Sequence, residues 1–264
     1  MTAQFFLSAA VPKCVLITGA TGGIGSALAL EYARVGATTL ILQGRDVAKL
    51  QELTQVCSAL GARVISRQLD VRDHEALISW LERVSATESP DLVIANAGVN
   101  INTGESRQGE SWEDMHRLFD VNVKAVMATA SACLPAMRAR RNGQIALISS
   151  LAAWRGLPDT PSYSASKAAV KAYGEGMRDL LANEGVRINV VMPGYVESRM
   201  CADMPGPKPF LWRAPKAAHA IRVGLARNRA RISFPFPLNL GCFVLALLHP
   251  SVSARILKWL GYGR

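Results

Sequence analysis

Tyr163 stands four residues before Lys167, and Ser150 stands thirteen residues before Tyr163. On a helix, residues four apart share a face and lie within reach of one another. An unperturbed phenol has a pKa of about 10, a nearby ammonium favours the phenolate, and each unit of lowering is worth about 1.4 kcal/mol. A tyrosine tuned in this way delivers a proton to an alkoxide or takes one from an alcohol near neutral pH. A serine hydroxyl placed beside it can donate a hydrogen bond to the same oxygen while charge develops there. Ser149 is the rival for that role, but in an extended segment it points to the opposite side.

Such a constellation needs elements to hold it. Thr160 and Pro161 read as the N-cap and first position of a helix carrying Tyr163 and Lys167. The apolar run 144–149 reads as a strand that delivers Ser150. Similar runs at 14–18, 38–42, 63–69, 91–95 and 187–192 read as buried strands, and Arg231–Phe234 as a last one ended by Pro235 and Pro237. They alternate with helical spacings such as Leu50, Leu53, Cys57 and Leu60, or Leu77, Leu81 and Val84, and Pro215 opens a further helix. The alternation predicts a single α/β domain built on a doubly wound, Rossmann-type parallel sheet covered on both faces. We place this dinucleotide-binding and catalytic domain at 1–235. Residues 236–264 are read as a basic, apolar tail packed on the domain, a subunit interface or a membrane surface.

The dinucleotide assignment comes from the first turn. The run 14–18 leads into Gly19-Ala20-Thr21-Gly22-Gly23-Ile24-Gly25 and then a helical stretch at 26–35. Glycines there let the backbone turn sharply and approach a pyrophosphate, whose charge the amides of a helix N-terminus stabilise. Gly19, Thr21, Gly23, Ile24 and Gly25 are the residues that would hold it. About twenty residues on, where an acid would grip the ribose of NAD, the sequence reads Gln43-Gly44-Arg45-Asp46. A small residue leaves room for a 2′-phosphate and a guanidinium can grip it with two hydrogen bonds. NADP(H) is therefore the preferred cofactor and NAD(H) the alternative, with Asp46 read as a helix N-cap. Asp70 either accepts from the adenine amino group or caps the following helix.

With these motifs in this order, the chain resembles the classical short-chain dehydrogenase/reductase family over roughly residues 13–200. Thr18-Gly19 with Gly23 and Gly25 is similar to its cofactor turn. Ala95-Asn96-Ala97-Gly98 is similar to its Asn-Ala-Gly strand end, with Ala95 where many relatives carry a second asparagine. Asn122, Ser150, Tyr163 and Lys167 match its catalytic tetrad. Pro193-Gly194 matches the loop over the nicotinamide, followed by Val196 and by Ser198, which stands where a threonine often binds the carboxamide. The resemblance implies hydride transfer between NAD(P)H and a carbonyl or alcohol, with Tyr163 as general acid/base. Lys167 would hold the nicotinamide ribose and depress the tyrosine pKa, Asn122 would keep a water in a proton relay, and Ser150 would orient the carbonyl. Asn96 and Gly98 would shape the cofactor site. A homo-oligomer is also implied. The glycine spacing alone also fits the extended, sugar-nucleotide-modifying branch, and chain length with the Ser150 to Tyr163 interval decides against it. The competing class is a non-catalytic dinucleotide sensor or scaffold, which would need no acid/base pair.

The segment after Gly194 holds Met200, Met204, Pro205, Pro207, Phe210, Leu211 and Trp212, a lid suited to an apolar, lipid-like substrate, and Trp154 and Leu157 are expected to line the same cavity. Composition narrows the remaining classes. The 264 residues carry a net charge of +10, yet all 20 acidic residues precede Met204, and the last 61 residues hold ten of the 30 Lys and Arg. No nucleic-acid recognition motif accompanies this charge, so a nucleic-acid partner is not expected. The run 238–248 is nearly all apolar, and Val252, Ile256, Trp259 and Leu260 recur at helical spacing with Arg255 and Lys258 among them. A basic amphipathic end of this kind suits peripheral contact with an anionic membrane. Five cysteines without a CxxC pair argue against a disulfide framework or a metal site and for a reducing cytoplasm. The apolar Phe5-Phe6-Leu7 lacks the basic residue that a secretory signal carries before it, and no apolar run reaches a membrane span.

Overall fold

The computed structural model describes residues 11–103, 109–204 and 206–262. Phe5, Phe6, Leu7 and Pro205 lie outside them. Short apolar runs form β1 (Cys14–Ile17), β2 (Thr39–Gly44), β3 (Arg63–Gln68), β4 (Leu92–Ala95), β5 (Gly143–Ile148), β6 (Val186–Pro193) and β7 (Arg231–Phe234). They pair in parallel in the order β3-β2-β1-β4-β5-β6-β7. The chain thus winds outward from β1 in one direction and restarts at β4 in the other. A crevice for a ligand lies beyond the carboxyl ends of the strands at that switch point.

Side chains alternate across the sheet, so each strand feeds two cores. Val15, Ile17, Leu40 and Leu42 meet Leu28, Leu53 and Ile221 from α1 (Gly23–Arg34), α2 (Val47–Ala59) and α8 (Ala214–Ala226). Leu16, Ile41 and Val93 meet Leu77, Val126 and Val170 from α3 (His74–Glu88), α5 (Ala125–Ala139) and α6 (Pro161–Leu180) on the other face. The doubly wound α/β architecture read from the alternation is the one observed. One strand departs from it. The segment read as a buried strand at 63–69 is the sheet edge, with Arg63, Ser66, Arg67 and Gln68 exposed, and such polar side chains discourage pairing with another chain.

Two local features fix the position of α6. A Cβ on Gly174 would sit 2.5 Å from Val190 Cγ2, so the glycine lets the helix press closely onto the sheet. Before it, α4 (Trp112–Phe119) runs into α5 through a π-helical turn at Asp120–Lys124. Beyond β6 come the short α7 (Arg199–Ala202), then α8 and β7, then α9 (Leu238–Leu247) and α10 (Pro250–Trp259). These last helices fold back onto the rest of the chain. Arg155 Nε donates to Ser253 Oγ at 2.9 Å, the Phe243 ring meets Trp154 edge-on at 5.0 Å, and the Tyr195 and Tyr262 hydroxyls lie 3.1 Å apart. Among the described residues, no helix is long and apolar enough to cross a membrane.

Candidate active site

Beyond the carboxyl ends of the strands lies a cavity of about 1000 Å³ whose lining runs from Gly19 and Gly44 through Asn96 and Ser150 to Pro193 and Leu238. At its base α1 begins at Gly23, earlier than the 26–35 reading, because the glycine turn is itself the first helical turn. Its N-cap is Gly22, with no side-chain cap and no acid in the first turn, so the leading amides face the cavity without a side-chain acceptor. That is a cradle for a phosphate. Gly19 has φ +64°, and a Cβ there would meet Ala97 Cα at 2.7 Å. A Cβ on Gly23 would meet Ser198 Cβ at 2.7 Å.

Gly25 works differently from its neighbours in the turn. It does not line the cavity; a Cβ would sit 2.3 Å from the Gly19 carbonyl oxygen and 2.8 Å from Asn96 Nδ2. We expect Gly25→Ala to force the turn off β1 at a cost of about 1–3 kcal/mol, read as a lower denaturation midpoint. Asn96 is similarly tied to the turn, donating from Nδ2 to the Thr18 and Gly19 carbonyls at 3.0 Å each. Thr21, Ile24, Asn96, Gly98, Pro193, Gly194, Val196 and Ser198 all border the cavity. The Ser198 hydroxyl also accepts from Cys201 N at 3.1 Å as the cap of α7.

The region after β2 is less open than its glycine suggested. A Cβ on Gly44 would collide with Thr21 Cγ2 at 2.7 Å, so the threonine already occupies that space. Arg45 and Lys49 border the cavity here, and Asp46 caps α2 by accepting from Lys49 N at 3.1 Å. The alternative that Asp70 caps the next helix fails: Asp73 caps α3 by accepting from Ala76 N at 3.0 Å. Asp70 borders the cavity and pairs with Arg72, whose guanidinium Nη2 lies 2.7 Å away and holds the carboxyl below its ordinary range.

On the other half of the cavity Ser150, Tyr163 and Lys167 converge. Tyr163 and Lys167 are buried in the first two turns of α6, and the ammonium lies 5.7 Å from the phenol ring centre. Lys167 Nζ donates to the Ile148 carbonyl at 3.0 Å. Ser150 caps the 3₁₀ turn Leu151–Ala153, accepting from Ala152 N at 3.1 Å, and its hydroxyl points to the Pro193 carbonyl at 3.5 Å. Ser149 is unavailable for chemistry, because its hydroxyl donates to the Lys167 carbonyl at 2.7 Å. Asn122 sits in the π-helical turn, fully buried, with Nδ2 donating to Val99 O at 2.9 Å and Ser166 Oγ at 3.1 Å, and Oδ1 accepting from Val99 N at 2.8 Å. That amide joins α6 to the chain after β4 and has no donor left over for a water. A Cβ on Gly98 would lie in ordinary contact, 3.4 Å from both Asn122 Oδ1 and Lys167 Nζ, which places this residue between the two side chains.

The electrostatics differ from the simple picture of an ammonium pulling a phenol toward neutrality. Burial raises the Tyr163 pKa, and only the neighbouring Ser150 side chain works against it. Burial also lowers Lys167 to about 8. At pH 7 the phenol carries its proton, which suits a donor to a developing alkoxide.

Around this centre the expected lid is only partly in place. Met200, Met204, Pro207, Phe210 and Leu157 border the cavity. Trp212 instead stacks on Phe234 at 5.0 Å, Leu211 is exposed, and Trp154 turns away to Phe243, Lys171 and Arg231. Several contributors carry no sequence signal that would have singled them out. Gln43 is buried and accepts from Gly19 N at 2.8 Å while donating to the Leu69 carbonyl, which pins the glycine turn to the ends of β2 and β3. Tyr195, Leu238, Cys242, Leu245, Leu257 and Tyr262 complete the wall, most of them from the last two helices.

A family model described as short chain dehydrogenase matches residues 13–207. An uncharacterised oxidoreductase of Myxococcus xanthus is 38% identical over 230 residues, covering 86% of this chain and 88% of the relative. The ketoacyl reductase HetN of Nostoc sp. is 31% identical over 259 residues, 94% of this chain and 89% of the relative. Among solved structures, a short-chain dehydrogenase from Sphingobium yanoikuyae in complex with NADPH superposes with a TM-score of 0.78 at 25% identity, covering 93% of this chain and 94% of that one.

Proposed function

This chain belongs to the short-chain dehydrogenase family, and from that premise we propose that it reduces the carbonyl group of an apolar, lipid-like molecule with NADP(H), Tyr163 supplying the proton. The observation that carries this reading is the convergence of Ser150, Tyr163 and Lys167 on the cavity that the glycine turn also borders. When bound, the nicotinamide dinucleotide supplies the hydride, or accepts it in the reverse reaction. The chain's own residues do the rest. The unfilled amides of α1, with Gly19 and Gly23 beside them, would hold the pyrophosphate, and Asp70, Asn96, Gly98, Pro193, Gly194, Val196 and Ser198 would border the remainder. Ser150 orients the substrate oxygen and stabilises charge on it, and Tyr163 passes its proton to that oxygen. Lys167 stands beneath the phenol, and Asn122 positions both through Ser166 and Val99.

Arg45 and Lys49 on the cavity border support NADP(H) over NAD(H). Arg45→Ala is expected to weaken NADPH about tenfold, the scale of one charge-assisted hydrogen bond, with NADH unchanged in a fluorescence titration. Equal losses for both cofactors would remove the preference. Leu157, Met200, Met204, Phe210, Leu245 and Leu257 support an apolar substrate. The decisive experiment follows NADPH and NADH oxidation by the purified protein against a panel of apolar and polar carbonyls. Turnover confined to small polar sugars would sink the substrate assignment. The reading includes a homo-oligomer and the reducing cytoplasm, the latter supported by five unpaired cysteines, four of them buried.

A further inference from the structure

The helix α9 has no buried residue although it is almost wholly apolar. It carries two stripes. Leu238, Gly241, Cys242 and Leu245 face the cavity, whereas Leu240, Val244 and Leu247, spaced at three and four residues, are 52%, 45% and 70% exposed. A helix apolar on all sides is stable in water only when something covers it. Inside, the cavity and Trp154 supply part of the cover; outside, the second stripe remains bare, with Phe236 exposed just before it. The next helix extends this pattern. In α10, Ser253 and Leu257 point inward, and Val252, Arg255 and Trp259 form the opposite, exposed face.

What covers these faces is decided by charge. Between Pro235 and Tyr262, the stretch that carries both faces, the sequence has two basic residues, Arg255 and Lys258, and no acidic residue. A second copy of the same face would add more of the same sign, since neither helix carries an acidic side chain to meet Arg255. An anionic lipid surface offers both an apolar interior for the leucines and phosphates for the basic side chains.

We propose that the outward faces of α9 and α10 dock on an anionic membrane, so that the enzyme takes its substrate from the bilayer across a wall one helix thick. The proposal rests on the apolar-substrate reading above and deepens it, because α9 supplies both the docking stripe and part of the cavity wall. A molecule soluble only in lipid would then enter without crossing bulk water.

The test uses the full chain with vesicles of phosphatidylcholine alone and of phosphatidylcholine with phosphatidylglycerol. Sedimentation is expected to bring the protein down with the anionic vesicles only, with binding falling as salt rises. Leu240→Glu with Leu247→Glu should lower the vesicle partition coefficient by more than about tenfold, and Arg255→Glu by roughly fivefold or more. Neither change touches the cavity lining, so NADPH oxidation with a short, water-soluble carbonyl should continue in both variants and report that they are folded. Absence of salt-sensitive binding to anionic vesicles would overturn the proposal, as would a wild-type dimer that the leucine variant converts to monomer while vesicle binding is unaltered. The two readings fail separately. Turnover of apolar carbonyls in detergent without vesicle binding removes docking alone, whereas binding with turnover only of polar carbonyls removes the substrate class.

Discussion

Tyr163→Phe is expected to lower carbonyl reduction by about 10²–10⁴-fold, the usual contribution of a positioned general acid, while NADPH binds as before. The substitution keeps the ring against Ile101 and Leu118 and removes only the hydroxyl. Ser150 keeps its bond from Ala152 N, so the loss in stability should not exceed about 1 kcal/mol. Folding and cofactor binding therefore act as internal controls, measured by thermal melting and by fluorescence of bound NADPH. Unchanged turnover would remove Tyr163 from the chemistry. The raised phenol pKa adds a directional signature: reduction uses the protonated form already present at pH 7, whereas alcohol oxidation needs the phenolate and should climb with pH.

How much of this was legible in advance depends on whether a residue's role is local. The glycine turn announces itself because the backbone itself approaches its neighbours there: Gly19 has a positive φ and Ala97 stands where its side chain would be. Tyr163 and Lys167 announce themselves because helical spacing is a property of one segment. The apolar runs match β1–β7 within a residue or two, and the main departure, the edge position of β3, concerns what lies beside a strand, which no window along the chain contains. Gln43 is the clearest loss. Its side chain bridges Gly19 and Leu69, 24 and 26 residues away, and in the sequence it is one polar residue at the end of an apolar run.

Gly44 shows the reverse limit. Its small size reads as vacant space, but Thr21, from another loop, already fills it, so the case for a 2′-phosphate rests on Arg45 and Lys49 instead. Trp154 leaves its expected place on the cavity wall for a related reason. An aromatic between Ser150 and Tyr163 looks like cavity wall, yet Phe243 offers it an edge-on partner and Lys171 and Arg231 lie over its ring at 4.7 and 4.9 Å. The apolar tail was visible as apolar, but the division of α9 into a cavity stripe and an outer stripe exists only once the helix is set against the sheet.

Lys167→Met should separate stability from activity, because burial works against a charge that, on the reading proposed above, holds the nicotinamide ribose. The ammonium is buried with one carbonyl bond, from Ile148, and its pKa falls from 10.5 to about 8. A lysine that holds its proton less tightly folded than unfolded costs stability wherever it is charged in both states. The cost is therefore complete below about pH 8 and is relieved as pH rises toward the unfolded value, so the cofactor-free protein should gain stability across that interval. Methionine fills nearly the same volume without charge. It leaves the Ile148 carbonyl without that donor, at about 1 kcal/mol, against roughly 3 kcal/mol of desolvation cost removed. The variant should melt higher than the parent at pH 7, lose most of that advantage by pH 10, and turn over at least about a hundredfold more slowly. A melting temperature that falls at every pH would mean that the lysine, as placed against Ile148 and Tyr163, stabilises the fold, and the opposition between charge burial and catalysis would be lost. The two measurements need no substrate identity: melting uses the protein alone, and turnover uses any carbonyl found active with the parent.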